Sequence, residues 1–339
     1  MKFLQKKYAL SKQGARDLLK GILYSVLEYI SLMLPVALLA CVLNVFLEPL
    51  LGGSRQETNI VKYILVGIVV LVIIFVMHYI QYTITYMGTY QESERRRITL
   101  AEKLRTMPLR FFKEHDVSDL TGTIMGDCAG FEHAFSHTVP QFWGSIISTA
   151  IVCIALLVYD WRMGLALLWV APVAFAVVLL SRKLQTKQGQ KHIEAKLALA
   201  DGIQECLETV PDIKACNLET EYLKKLDKKM EAAEKSQLSS EMLTASLVTC
   251  GQMFLRLGLA TVIVVGNVLL LHEETTLFSY ILFLIAASRL YDPLSGAMTN
   301  MAELFSVDLQ VERLKAIQNY QEENKQKEYH TNGYDITFE

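Results

Sequence analysis

The fold of this chain is decided by residues 60–88, IVKYILVGIVVLVIIFVMHYIQYTITYMG, and by their continuation 89–107, TYQESERRRITLAEKLRTM. The first segment is apolar and exceeds the ~20 residues with which a helix crosses the ~30 Å hydrocarbon core of a membrane. No proline occurs between residue 60 and Pro108, so the helix is predicted to continue through the charged segment. At about 1.5 Å per residue, residues 89–107 would project ~28 Å beyond the membrane.

Six apolar segments of this kind occur along the 339 residues, at unequal intervals. The second and third segments, and the fourth and fifth, are separated by long charged stretches, whereas the third and fourth are nearly contiguous. The pattern predicts an all-α membrane protein whose six long transmembrane helices extend into the cytoplasm. We place this transmembrane domain in residues 1–320. The six spans cover residues 22–47, 60–88, 139–158, 163–181, 243–271 and 277–298.

Lysine and arginine are sorted by side of the membrane, and this sorting predicts the orientation. Of the 33 lysines and arginines, only Arg55, Lys62 and Arg162 lie at the end opposite the long charged stretches, and two more lie within spans. Cytoplasmic segments of membrane proteins carry the excess of positive charge. Both termini and both charged stretches are therefore predicted to be cytoplasmic, in a multi-pass protein of the plasma (inner) membrane.

Each charged stretch contains a proline that is predicted to mark a turn. In the first stretch, Pro108 ends the descending helix, and a turn-rich piece precedes the returning helix. In the second, residues 209–211 (TVP) are predicted to break the helix, so that residues 212–242 ascend. We call residues 109–122 the first tip and residues 207–218 the second tip. Their apolar and acidic residues favour docking into a groove on a partner, the alternative being plain hairpins with solvated turns.

Residues 321–339 differ in composition from the helical domain. Residues 321–333 (QEENKQKEYHTNG) are polar and charged, which is typical of a linker. Residues 334–339 (YDITFE) alternate like a β-strand. Because an isolated strand is not stable by itself, we expect residues 334–339 to be the first strand of a further domain.

Short motifs in a fixed order give this chain a resemblance to a known family. It resembles the membrane domain of ATP-binding-cassette half-transporters of the exporter-type fold, over residues 1–320. The closing YDITFE looks like the first strand of that family's nucleotide-binding domain. The other matching motifs are Met107-Pro108-Leu109, Phe111-Phe112, Asp119-Leu120 and Asp127 in the first tip region, Asp160-Trp161-Arg162 as a short outer turn, residues 213–217 (IKACN) with Glu219 and Glu221 as a second coupling segment, and residues 311–314 (VERL) at the end of the sixth helix.

The resemblance implies that the two tips couple the membrane helices to a nucleotide-binding domain. ATP would close two such domains on each other, and the tips would transmit that motion to the helices. The residues expected to couple are Phe111, Phe112, Asp119 and Leu120 in the first tip and Pro211, Ile213 and Lys214 in the second.

The resemblance further implies a transporter built from two halves. This chain would pair with a second half-transporter in the lipid bilayer, as a homodimer or heterodimer, and export a small or amphipathic substrate. ATP and Mg²⁺ would be bound by the nucleotide-binding domain, because this chain has no GxxxxGK[ST] loop. No cofactor and no catalytic residue are expected in the chain itself. Two alternatives stay open: an importer of metal-chelating small molecules with the same fold, and a membrane interaction or sensor subunit without transport.

Charged residues inside the spans are candidates for a substrate cavity, because charge in a membrane faces a cavity or a partner. Arg256 and Arg289 lie at a similar predicted depth, ~18–23 Å below the outer face, where two cations could hold an anionic group of a substrate. The alternative is structural pairing of Arg289 with Asp292, three residues on, and of Glu28 with Arg256. His78 is interpreted as a polar wall residue near the inner end of the second span.

Two further clusters are interpreted as structural. The run Arg95–Arg97 is interpreted as an anchor at the membrane edge, and no nucleic acid is expected among the partners. His133 and His137 are four residues apart, with Cys128 upstream, a spacing compatible with zinc. Because no fourth ligand is evident, we interpret them as ordinary polar helix positions and expect no metal site.

Overall fold

The computed structural model describes residues 8, 10–47, 60–114, 120–318 and 320. We number the helices of this part in chain order. Six helical rods in it are long and apolar enough to cross a membrane, which confirms the six predicted spans. The helices are α1 (Lys12–Ser31), α2 (Leu34–Leu47), α3 (Ile60–Arg105), α4 (Leu109–Glu114), α5 (Gly122–Tyr159, with π-helical turns at Gly122–Asp127 and Ala134–Thr138), α6 (Trp161–Leu168), α7 (Val170–Ala215), α8 (Glu219–Leu271) and α9 (Leu277–Gln318).

Two of the six rods are interrupted at a proline. Helix α1 ends at Ser31, four residues before Pro35, and α6 ends at Leu168, four residues before Pro172. A proline ring clashes with the carbonyl group four residues earlier, and proline has no N–H with which to continue the hydrogen-bond ladder. The break before Pro35 has this cause, whereas α9 runs through Pro293 without interruption.

The predicted break at residues 209–211 is wrong. Helix α7 contains Pro211 and continues to Ala215. It ends because Asn217 adopts a left-handed conformation, with φ of 53°. The N–H of Leu218 then donates to the Ile213 carbonyl at 3.0 Å, and the N–H of Asn217 donates to the Lys214 carbonyl at 3.3 Å. These two bonds are a Schellman cap, so backbone capping rather than the proline ends the helix.

Contacts between turns define the two ends of the bundle. At one end, which we call the loop end, Arg162 forms an ion pair with Glu274 and so joins the α5–α6 turn to the α8–α9 turn. Asp160 caps α6 there by accepting from the N–H of Arg162 at 3.0 Å. At the opposite end, which we call the tip end, the first tip contacts Tyr320, which follows α9.

The main core lies where α5, α6, α7, α8 and α9 pack together. Glycines on one face of α8 allow this close approach, as is common between membrane helices. At Gly258, an added Cβ would lie 1.9 Å from the Tyr291 hydroxyl oxygen. That hydroxyl donates to the Leu167 carbonyl at 3.0 Å, which fixes α9 against α6.

A second packed region joins the start of α1 to α3 and α5. Ser11 caps α1 by accepting from the N–H of Gly14 at 2.9 Å, and its own N–H donates to Glu92 at 2.7 Å. Arg96 is buried, lies 3.7 Å from the centre of the Phe131 ring and donates to the Tyr8 carbonyl at 3.1 Å. The interpretation of the Arg95–Arg97 run as a membrane-edge anchor is therefore wrong for Arg96, because that side chain faces the protein interior.

Candidate functional site

The first tip is folded onto the end of α9. Phe111 is 0% exposed, and its ring meets the Tyr320 ring edge-on at a centroid distance of 4.8 Å. Leu120 is buried in the same cluster, together with Leu314 of α9. Short-range apolar contacts of this kind transmit displacement, because close-packed interiors resist compression.

The outer surface of the first tip consists of different residues. Leu109 and Phe112 are exposed, with 83% and 44% of their surface accessible. The predicted coupling residues therefore divide into Phe112 at the surface and Phe111 and Leu120 in the core beneath it. Asp119 lies outside the described residues.

The second tip is the exposed end of the helical hairpin that α7 and α8 form. Pro211 and Lys214 are exposed, and Ile213 is half-buried. Leu207 beside them is 70% exposed. Between residues 186 and 247, Gly202 and Ala233 alone are buried. The second tip therefore contacts the rest of the described chain only through α7 and α8 themselves.

The polar residues predicted inside the spans are paired differently from expectation. Glu28 bonds the imidazole of His78, with 2.6 Å between carboxylate oxygen and Nδ1. The alternative pairing of Glu28 with Arg256 is therefore wrong. Among the described residues, Arg256 makes no ion pair, and Arg289 and Asp292 do not form the expected pair with each other. All three side chains are exposed on the surface of this chain.

Helix α9 carries a row of exposed, mostly polar positions that begins at Ser288 and runs through the tip-end half of its membrane span. Its exposed positions recur every third or fourth residue, which places them on one side of the helix. The opposite side is buried in the main core. The positions are Ser288, Arg289, Asp292, Gly296, Thr299 and Glu303, and we call them the α9 polar face.

The exposed face of α3 has the opposite character. Exposed positions at helical spacing within the span of α3 carry large apolar or aromatic side chains, namely Ile64, Ile68, Leu71, Phe75 and Tyr79. Such a surface is suited to lipid, whereas the α9 polar face is not, because charged groups are costly in hydrocarbon. The bundle thus presents one lipid-like side and one polar side at membrane depth.

The α9 polar face ends in a cavity of about 530 Å³ at the tip-end margin of the spans. Thr299 and Glu303 of α9 line it, together with residues of α7 and α8. Sequence reasoning missed this cavity. The sequence did contain a signal for it, because glutamines and carboxylates lie immediately beyond the ends of three predicted spans. The other lining residues are Gln185, Thr186, Gly189, His192, Ser240, Glu241, Thr244, Ala245, Val248, Thr249, Gln252, Ala302 and Phe305.

The residues considered for zinc do not converge on a metal site. Cys128 is buried in the core of the first tip. The ring centres of His133 and His137 are 5.5 Å apart, and His137 forms a hydrogen bond with Tyr86. Over the described ranges, three or more histidine, cysteine or acidic groups nowhere converge to hold a metal ion.

The comparison with known protein families gives a match that covers most of the helical bundle. The family model described as "ABC transporter transmembrane region" matches residues 24–294, a range that begins in the first span and ends in the sixth. A comparison with curated proteins gives no significant match.

Proposed function

This chain belongs to the ABC transporter transmembrane family, and from that premise we propose that it forms half of an ATP-driven transporter that exports a small or amphipathic substrate across the plasma membrane. The observation that carries this proposal is the α9 polar face. A chain that only anchored another domain would need a lipid-compatible surface all round. One polar side at membrane depth is what a translocation path requires.

The α9 polar face supports a partner half. Arg289 and Asp292 are exposed within the sixth span, and Arg256 is exposed on α8 in the fifth. In an isolated chain these groups would meet hydrocarbon, which costs several kcal/mol for each charge at the membrane centre, on the order of 2.5–3.5 by insertion scales. A second half-transporter with its own polar face would enclose them in water between the two halves.

The tips are proposed to receive the motion of a nucleotide-binding domain on the cytoplasmic side. ATP and Mg²⁺ would be bound there and not by the described helices. Phe112 and Leu109 supply an apolar surface for docking, and Phe111 connects that surface to α9. Lys214 and Leu207 supply the corresponding surface at the second tip. Rigid helices that tilt between two packings are the type of element that alternating access uses.

Reconstitution of the complete transporter in proteoliposomes tests this function. ATP-dependent movement would be screened over lipids, peptides and metal chelates, and the compartment in which the probe accumulates reports the direction. Arg289→Gln and Asp292→Asn are expected to reduce movement, while Lys62→Gln, at the loop end of the lipid-facing α3, is expected to leave it intact. Equal transport by all three variants, or no ATP-dependent movement of any probe, would contradict the proposal.

A further inference from the structure

We propose that the cavity between α7, α8 and α9 binds the ammonium group of an amine-bearing amphipathic ligand. As the substrate class of the transporter, this inference rests on the proposed function. As a statement about binding, it is carried by the hydrogen-bonding groups and charges of the cavity wall, which are independent of ATP and of transport.

Gln185 provides a buried acceptor with no partner. It is 6% exposed, and its Nε2 donates to the Ser181 hydroxyl at 2.6 Å. The Ser181 hydroxyl itself donates to the Val178 carbonyl at 2.7 Å. Because the serine proton is used, the amide of Gln185 must donate, and this fixes its orientation. Its Oε1 is then left buried without a hydrogen bond, an arrangement that costs free energy.

Gln252 is oriented in the same sense on the facing helix. Its Nε2 lies 3.3 Å from the Ser295 carbonyl and 3.2 Å from the Thr299 hydroxyl. With the amide nitrogen directed to α9, the carbonyl oxygen of Gln252 is again the group available as an acceptor. Both glutamines of the wall therefore direct their amide nitrogen to acceptors within the chain and keep the carbonyl oxygen as an acceptor.

Charge in the wall is negative. Glu241 accepts one bond from Gln237 at 2.9 Å, and Glu303 accepts one from Thr138 at 2.8 Å. Each carboxylate keeps a second oxygen for a ligand. The lining within the described chain contains no lysine or arginine, and His192, whose Nδ1 is buried without a partner, is the remaining titratable group in it.

Arg182, three residues before Gln185, does not neutralise this charge. Arg182 forms an ion pair with Asp308 at 3.2 Å and lies over the Phe305 ring, 5.2 Å from its centre. Its charge is thus balanced by another carboxylate, behind the aromatic wall of the cavity. The cavity combines acceptors and negative charge with the apolar surface of Val248, Ala302 and Phe305. A cationic N–H donor attached to an apolar body matches these groups, and a volume of about 530 Å³ is in the range of small-molecule sites.

Monodansylcadaverine, a primary amine on an apolar fluorophore, is a suitable probe. Its binding to the detergent-solubilised full chain would be followed by fluorescence anisotropy, with the N-acetylated derivative as the neutral control and a dansyl amino acid as the anionic control. We expect the amine to bind at least about tenfold more tightly than either control, the difference that one or two charge-assisted hydrogen bonds provide. Equal binding of the three probes, or preference for the anion, would overturn the inference.

Substitutions then locate the site. Glu241→Gln with Glu303→Gln keeps the shape of the wall and removes its charge, and is expected to weaken amine binding by about tenfold. The matched pair Glu234→Gln with Glu312→Gln changes exposed glutamates of the same two helices outside the cavity, and is expected to leave binding unchanged. Gln185→Leu, with retention of the thermal unfolding midpoint as its folding control, is expected to weaken amine binding as well. Wild-type affinity in both cavity variants would overturn the inference.

The outcomes separate this inference from the proposed function. A transporter that moves other probes in an ATP-dependent way, but whose cavity shows no preference for the amine, keeps its function and loses this inference. A chain that binds the amine through Glu241 and Glu303, but moves no probe, keeps the inference about the cavity and loses the function.

Discussion

The two tips occupy equivalent places in the chain but are attached to the molecule in different ways. The first tip is folded onto α9 through Phe111, which is fully buried against Tyr320. The second tip makes no such contact with the described residues, and Leu207 and Lys214 on it are exposed. A force on the first tip therefore reaches α9, with its polar face, directly through side-chain packing. A force on the second tip can travel only along the lengths of α7 and α8.

The difference follows from local sequence. After Pro108, the first tip places two phenylalanines on a short helix, and one of them finds an apolar niche made by α3, α5 and α9. The second tip has no aromatic residue between Leu207 and Leu218. It turns instead on the backbone cap at Asn217. The first tip is thus stabilised by tertiary packing and the second by backbone hydrogen bonds.

The largest expected effect is that of Phe111→Ala. Truncating a fully buried phenylalanine typically costs about 3–5 kcal/mol, so the first tip should separate from α9. Hydrogen exchange at residues 314–317 should rise sharply, and ATP hydrolysis by the complete transporter should no longer respond to substrate. Phe112→Ala, at the exposed neighbour, should leave exchange at 314–317 unchanged. If hydrogen exchange at residues 314–317 rises equally in both variants, the attachment of the first tip to α9 is not what we describe.

A smaller effect is expected from Asn217→Val at the second tip. The left-handed conformation of residue 217 should cost a β-branched residue ~1–2 kcal/mol. Limited proteolysis at residues 216–218 should become faster, while the first tip keeps its protection. Asn217→Gly is the control and should keep the wild-type cleavage rate, because glycine adopts this conformation freely. Resistance of the valine variant to proteolysis would show that the cap does not hold the turn.

Pro211→Ala should have a slight effect of opposite sign. Alanine restores an N–H inside α7, which can donate to the Leu207 carbonyl and contribute about 0.5–1.5 kcal/mol. Hydrogen exchange in the last turns of α7 should therefore slow. Transport by this variant shows whether Pro211 acts in coupling. Unchanged transport would remove Pro211 from the predicted coupling residues. Reduced transport with a more stable helix would retain it among them.

Lys214→Ala should have the smallest effect on stability. The side chain is exposed and makes no ion pair with the described residues, so the change should lie within about 0.5 kcal/mol. A reduced ATPase response in the complete transporter, at an unchanged unfolding midpoint, would support a docking role. An altered midpoint would show that the second tip is less independent than its exposure indicates.

The sequence predicted those features that depend on composition and local chemistry. The six spans and the extension of α3 beyond its span follow from apolar length and from the absence of proline between residues 60 and 107. The position at which α7 ends did not follow from the sequence. One proline in the last turns of a helix removes a single hydrogen bond, whereas the left-handed conformation of Asn217 redirects the whole chain.

The sequence alone did not predict which side chains of different helices pair. Whether Glu28 meets His78 or Arg256 depends on how each helix is rotated about its axis, and a small rotation exchanges the partners. Arg96 likewise has a sequence context typical of a membrane edge, and only the packing of α1 and α5 around it makes it an interior residue. The acceptor-rich cavity required three helices to be placed before Gln185 and Glu303 could be recognised as neighbours.

The most direct test of the account is the water accessibility of the α9 polar face. Single cysteines would be placed at Ser288 and Thr299 on this face, and at Leu71 and Phe75 on the lipid-like face of α3, in a background from which the six native cysteines have been removed. A membrane-impermeant thiol reagent applied to the assembled transporter in vesicles is predicted to label the α9 positions, with a rate that changes on addition of ATP, and to leave the α3 positions unlabelled. Protection of the α9 positions in every nucleotide state, at the level of the α3 positions, would contradict a translocation path along α9.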